Sequence, residues 1–276
     1  MRISLCNEVI AGMPFERQCA FAREVGYDGI EIAPVTLTDD PTALTSSQTA
    51  AWRRAAAEAG LPITSLHYLL RAPAGLSITT ADAAVRRRTG EVMRALCALA
   101  GDLGARVLVH GSPDQRVLVA GEEDDGRRRG IDCFAAVAEA AGQAGVVYCI
   151  EPLARNQTAF VNTVEEAAAI VRAINSPNVR TMIDCSSAGQ TETAPVAELI
   201  ARWVPTGLIG HIHFNDPNRR GPGEGTMAFA PILAALEASN YSGNSAVEPF
   251  IYQPDGPSCA ARAIGYLRGL IEAAKS

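Results

Sequence analysis

Apolar and polar positions follow one pattern from end to end: a short β-branched apolar run, a polar or Gly/Pro-containing loop, then an Ala/Leu-rich stretch of helical period. The apolar runs predict strands at Arg2–Leu5, Gly29–Ile32, Ile63–Leu66, Val107–His110, Val146–Glu151, Arg180–Asp184, Leu208–His213 and Ser245–Glu248. Between them the pattern predicts helices over Glu16–Val25, Ala50–Ala59, Ala81–Leu103, Gly130–Ala144, Thr163–Ile174, Pro195–Val204, Ala230–Ala238 and Ala260–Ala274. Asn162-Thr163-Val164-Glu165-Glu166 reads as a helix start, a polar cap followed by acids at the positive end of the dipole. Gly26, Gly60, Gly104 and Gly145 each stand where a helix ends and a strand is about to begin. Such alternation requires parallel strands joined by helical crossovers, with the sheet covered on both faces. Eight near-equal units in 276 residues predict an α/β fold: a closed (β/α)8 barrel, one domain over residues 1–276. The rival is an open doubly wound sheet, but Cys6-Asn7-Glu8 after the first strand carries no glycine-rich fingerprint. Pro217–Gly225 and Pro254–Pro257 fall between a strand and its helix and read as active-face loops.

Composition narrows the function. With 48% hydrophobic residues the chain is not intrinsically disordered, and 24 Lys+Arg against 30 Asp+Glu give a net charge of −6. That balance argues against a nucleic-acid partner. The seven cysteines form no CxxC pair, so neither a zinc knuckle nor a redox dithiol is signalled, and a reducing compartment fits. Met1–Phe15 lacks the build of a signal peptide, and the apolar window Ile131–Ile150 is broken by Asp132, Glu139 and Gln143. The expectation is a cytoplasmic protein without a membrane partner.

In a closed barrel the chemistry sits at the C-terminal ends of the strands, so the informative residues are polar ones that end apolar runs. Here these are Glu151 in the fifth, Asp184 in the sixth, His213 in the seventh and Glu248 in the eighth. Three carboxylates converging at a barrel mouth repel one another and lose hydration unless a cation compensates. One divalent metal on Glu151, Asp184, His213 and Glu248 resolves the conflict. Three oxygens and one imidazole suit Mn²⁺ first, with Mg²⁺, Co²⁺ or Zn²⁺ as alternatives. His211 and His213 share a face of their strand. His213 is the outer and better-placed ligand and His211 a packing or orienting residue, with the exchange of the two left open. His67 and His110 end the third and fourth strands and are expected to line the same cavity, each as a substrate contact or else as a packing histidine. Arg116 reads as a loop anchor, and Gly221, Gly223 and Gly225 as an anion nest or a tight turn.

Several runs carry a family resemblance: Gly26-Tyr27-Asp28-Gly29-Ile30-Glu31-Ile32, Gly111-Ser112-Pro113, Glu151-Pro152-Leu153, Ile183-Asp184, the ordered stretch from His211 to Gly225, and Glu248-Pro249-Phe250. On these the chain resembles the xylose-isomerase-like TIM-barrel sugar isomerase/epimerase superfamily, most closely its D-tagatose 3-epimerase branch, over nearly its whole length. The resemblance implies a single metal on Glu151, Asp184, His213 and Glu248. It also implies that Glu151 and Glu248 face each other across the substrate as the catalytic pair, that Arg219 contacts substrate oxygens, and that the protein is a homo-dimer or homo-tetramer. Two positions depart from the branch: Ser187 stands where it has a histidine, and Gln157 where it has a substrate-binding glutamate. Gln157 stays a candidate substrate contact, and a polyol or keto-sugar other than tagatose or psicose is expected. The expected activity is metal-dependent isomerisation or epimerisation of a ketose or related keto-sugar, by proton transfer through a metal-stabilised cis-enediolate. The main rival is a metal-dependent lyase or dehydratase that eliminates from a keto-sugar or 3-keto-glycoside. An apurinic-site endonuclease, disfavoured by four histidines and the negative charge, and a non-catalytic sugar-binding barrel are the remaining readings.

Overall fold

The apolar runs are too short to bury themselves singly; paired side by side, they close into a barrel. The computed structural model describes residues 1–275. In chain order the elements are β1 (Arg2–Cys6), α1 (Phe15–Val25), β2 (Gly29–Ile32), α2 (Ser46–Glu58), β3 (Ile63–Leu66), α3 (Ala83–Leu103), β4 (Val107–His110), α4 (Glu123–Ala144), β5 (Val147–Ile150), α5 (Val164–Ile174), β6 (Val179–Asp184), α6 (Cys185–Thr191), α7 (Val196–Trp203), β7 (Ile209–Phe214), α8 (Phe229–Ala238), β8 (Asn244–Val247) and α9 (Gly256–Ala273). The strands pair in parallel in sequence order, and β8 closes on β1 with Ser4 opposite Ala246. The expected closed (β/α)8 barrel is therefore the fold.

Strand alternation sorts the side chains into two cores. Odd positions of β4 and β5 supply Val107, Val109 and Cys149, which with Met182 form a small cluster inside the barrel. The intervening residues, among them Leu108, Tyr148 and Ile150, join the large core between sheet and helices. Above the inner cluster the barrel interior turns polar, with Ser4, Glu31, Ser65, His211 and His213 all fully buried. A buried polar layer of this kind is costly unless its members satisfy one another, which places the functional interest there.

Four helices depart from the sequence reading. α2 begins at Ser46 instead of Ala50, because Thr45 and Gln48 form a capping box that starts it earlier. α4 begins at Glu123 instead of Gly130, because Glu123, Asp124 and Asp125 form an acidic first turn that the dipole favours. α9 begins at Gly256, its N-terminus capped by Asp255, whose carboxylate accepts from Ser258 N at 2.7 Å, so half of the supposed Pro254–Pro257 loop is helix. α6 was not anticipated: it is too short to show a period, and it starts directly on the residue that ends β6, with the Asp184 carboxylate accepting from Ser187 N at 2.6 Å. Among the described residues no helix is long and apolar enough to cross a membrane.

Candidate functional site

Parallel strands bring their C-terminal ends to one face, and four of those ends meet at a point. One donor atom each from Glu151, Asp184, His213 and Glu248 lies within 4.8 Å of the others, and all four residues are buried. His213 Nδ1 stands 3.0 Å from Glu248 Oε2, 3.7 Å from Glu151 Oε1 and 3.8 Å from Asp184 Oδ2. Despite complete burial, this nitrogen makes no well-directed hydrogen bond. An orphaned imidazole nitrogen aimed among three carboxylates, with oxygen donors in the majority, fits a hard divalent cation. These residues could hold one.

The surrounding residues keep the four in place. Asn215, the residue after β7, donates from Nδ2 to Asp184 Oδ2 at 2.6 Å and to the Glu248 carbonyl at 3.2 Å, while its Oδ1 accepts from Ser186 N at 2.7 Å. Gly111 must be glycine because a Cβ there would lie 1.7 Å from Glu151 Oε2. Arg116, fully buried, donates from Nη1 to the Glu151 carbonyl at 2.9 Å and so anchors the loop behind that carboxylate, as its loop position suggested.

Beneath His213 lies Glu31. His213 Nε2 donates to Glu31 Oε1 at 2.7 Å, His211 Nε2 lies 2.8 Å from Glu31 Oε2, Cys6 Sγ donates to Oε1 at 3.3 Å, and Ser65 Oγ donates to Oε2. Burial opposes ionisation of Glu31, yet His211 and His213 outweigh it and hold the carboxyl well below the usual range. At the mouth the carboxyls diverge. Burial raises Glu151, and burial with the charges of Glu151 and Glu248 lifts Asp184 to about 7. Glu248 is buried too, but His213 and His67 hold it down at about 2.

The other sequence candidates separate. His67 is in the site: Nδ1 makes a hydrogen bond of 2.8 Å with Glu248 Oε1, while Nε2 lies 2.9 Å from Glu8 Oε2 without a well-directed hydrogen bond. Through Nδ1 it supports Glu248. His110 takes the packing alternative: Nδ1 pairs with the Tyr148 hydroxyl at 2.7 Å and the ring packs edge-on against Phe134 of α4, on the side of the helix layer. The reason is parity, since Val109 takes the inward position at that end of β4. Gln157 is exposed and its Oε1 accepts from Ala154 N at 3.2 Å, with Ser187 Oγ 3.5 Å away, so the two departures from the family pattern are neighbours. Arg219 is exposed, its guanidinium 5.1 Å from the Phe250 ring centre. Its left-handed backbone (φ 67°) is held by the amides of Phe250 and Ile251, which donate to its carbonyl. Arg220 pairs with Glu224, and the amides of Gly221 and Met227 donate to Glu224 and Asp216, so the Pro217–Gly225 loop spends these donors on itself as a tight turn.

Sequence reasoning missed Glu8, Glu31 and the role of Asn215. Glu31 did leave a signal: a lone acid inside the apolar run Gly29–Ile32, where a strand covered on both faces would carry none.

Comparison with known proteins places the fold. The family described as xylose isomerase-like TIM barrel matches residues 19–270. D-psicose 3-epimerase of Agrobacterium fabrum is 34% identical over 123 residues, 45% of this chain and 42% of the relative, so that alignment spans less than half of the relative's length. The 3-dehydro-D-guloside 4-epimerase of Escherichia coli is 24% identical, over 97% of this chain and 99% of the relative. Among solved structures, that of an L-ribulose 3-epimerase superposes with a TM-score of 0.83 at 25% identity, covering 99% of this chain and 95% of the other.

Proposed function

The chain belongs to the xylose isomerase-like TIM barrel family, and from that premise we propose that it is a metal-dependent epimerase of a keto sugar. One observation carries most of the weight: Glu151 and Glu248, the residues that follow strands β5 and β8, converge on the same point as Asp184 and His213. Those four residues would hold one divalent cation, Mn²⁺ being the first choice for three carboxylates and an imidazole. Bound there, it supplies Lewis acidity toward a carbonyl and the neighbouring hydroxyl oxygen, which acidifies the adjacent C–H.

The chain's own groups do the rest. One carboxylate of the Glu151/Glu248 pair removes the proton from its face of the carbon, and the other returns one from the opposite face, inverting that centre. Asn215 bridges Asp184 and Glu248, so neither needs to reorient during the transfer. Arg219, beside the Glu248–Ile251 segment, orients outer hydroxyls of the substrate. The relatives named for 3-epimerisation of psicose and ribulose and for 4-epimerisation of a 3-dehydro-guloside support this class of substrate, because the inverted carbon is next to a carbonyl in each. The uncharged Gln157 and Ser187 favour a substrate other than tagatose or psicose.

The test is a panel of ketoses and 3-keto-glycosides incubated with protein and Mn²⁺ in D₂O and followed by NMR. The expected product is an epimer carrying deuterium at the inverted carbon, with no fragment lost. Release of water or of an alcohol from the sugar would instead establish the lyase.

A further inference from the structure

Glu31 lies at the base of the site, in a layer the mechanism above does not use. Its carboxylate is fully buried and every close partner is a side chain from a different part of the barrel: Cys6 on β1, Ser65 on β3, His211 and His213 on β7. A buried carboxylate can sit there only if its lone pairs are used, and they are. The consequence falls on His213. A carboxylate at 2.7 Å from Nε2 accepts a proton from it, so the ring carries its hydrogen on Nε2 and turns the Nδ1 lone pair toward Glu151, Asp184 and Glu248. His211, with ring centre 5.0 Å from that of His213 and nearly perpendicular to it, occupies the other carboxylate oxygen. With Ser65 on that same oxygen, the carboxylate is not free to rotate away from His213.

We propose that Glu31 is the positioning residue of the metal centre, fixing the tautomer and tilt of His213 so that Nδ1, and not Nε2, faces the cation. The same geometry assigns His211 to bracing Glu31 and not to the ion, which decides between the two histidines of β7. This inference rests on the metal-centre reading above. It concerns a residue that touches neither substrate nor cation, so activity alone would not test it.

Two measurements do. Glu31→Gln keeps the size of the side chain but leaves one carbonyl oxygen to serve two histidines. Its Mn²⁺ dissociation constant, by equilibrium dialysis, should rise about 10- to 100-fold, the usual cost of losing the carboxylate behind a ligating histidine. The rise in melting temperature on adding Mn²⁺ should shrink in parallel, whereas a merely structural role would lower the melting temperatures with and without metal alike. A folded variant with the wild-type constant overturns the proposal while leaving the metal centre standing. Wild-type protein that binds no Mn²⁺ removes both. Where Glu31→Gln does not fold, the wild type still decides. Labelled with ¹⁵N-histidine and loaded with Zn²⁺, its four histidines are few enough to assign. The His213 ring should show a proton on Nε2 and a metal-shifted Nδ1; the reverse pattern overturns the proposal.

Discussion

The bottom and the rim of the barrel mouth are built on opposite terms. At the bottom, Glu31, His213 and Asn215 are 0% exposed and Asp184, Glu151 and Glu248 no more than 5%, and each is held by partners from other strands. At the rim, Gln157 and Arg219 are exposed, Phe250 and Ile251 are 37% and 39% exposed, and Val117 in the β4–α4 loop is 60% exposed. Groups that must keep a fixed spacing sit where several neighbours determine each position, and groups that meet a variable part of a substrate sit where few do. On the proposed function, the chemistry would be anchored at the strand ends and the selectivity left to loops.

Substitutions at the two levels should differ accordingly. Glu151→Gln and Glu248→Gln keep the shape of the bottom but remove a proton carrier, and each should cost at least about 100-fold in turnover, with solvent deuterium uptake by the substrate falling in step. Normal rates in both would break the comparison outright. Gly111→Ala drives a methyl group into Glu151. A displacement near 1 Å should lower turnover by up to about 100-fold, mostly in kcat. Asn215→Ala strips Asp184 and the Ser186 amide of a buried partner and should destabilise the fold by about 1–3 kcal/mol, read from urea unfolding. At the rim the effects should be smallest: Gln157→Glu should shift stability by no more than about 0.5 kcal/mol. Its mark should be on KM and on the ranking of substrates. A rim variant that lost proton exchange as fully as Glu151→Gln would erase the distinction.

The same division explains what could be read from the chain. Hydrophobic runs and glycine exits gave all eight strands to within a residue or two at their ends, since each run is dictated by burial on both faces. Glu151, Asp184, His213 and Glu248 share the parity that faces the barrel interior, and closure of the barrel brings them together. His110 ended a strand equally well and faces the other way, because nothing in Leu108-Val109-His110 states which of its faces lines the barrel. Glu31 and Asn215 went unread for a related reason: their value lies in partners 25 or more residues distant, and only closure of the barrel brings those together. Rim residues are hardest of all, since exposed loops obey turn chemistry and not periodicity.

Crystals grown with Mn²⁺ and measured at the manganese absorption edge would place the ion by its own scattering. A single anomalous peak coordinated by Glu151, Asp184, Glu248 and Nδ1 of His213 is the predicted result. A mouth without a peak, or a peak seated instead among Cys6, His67 and Glu248, would contradict it.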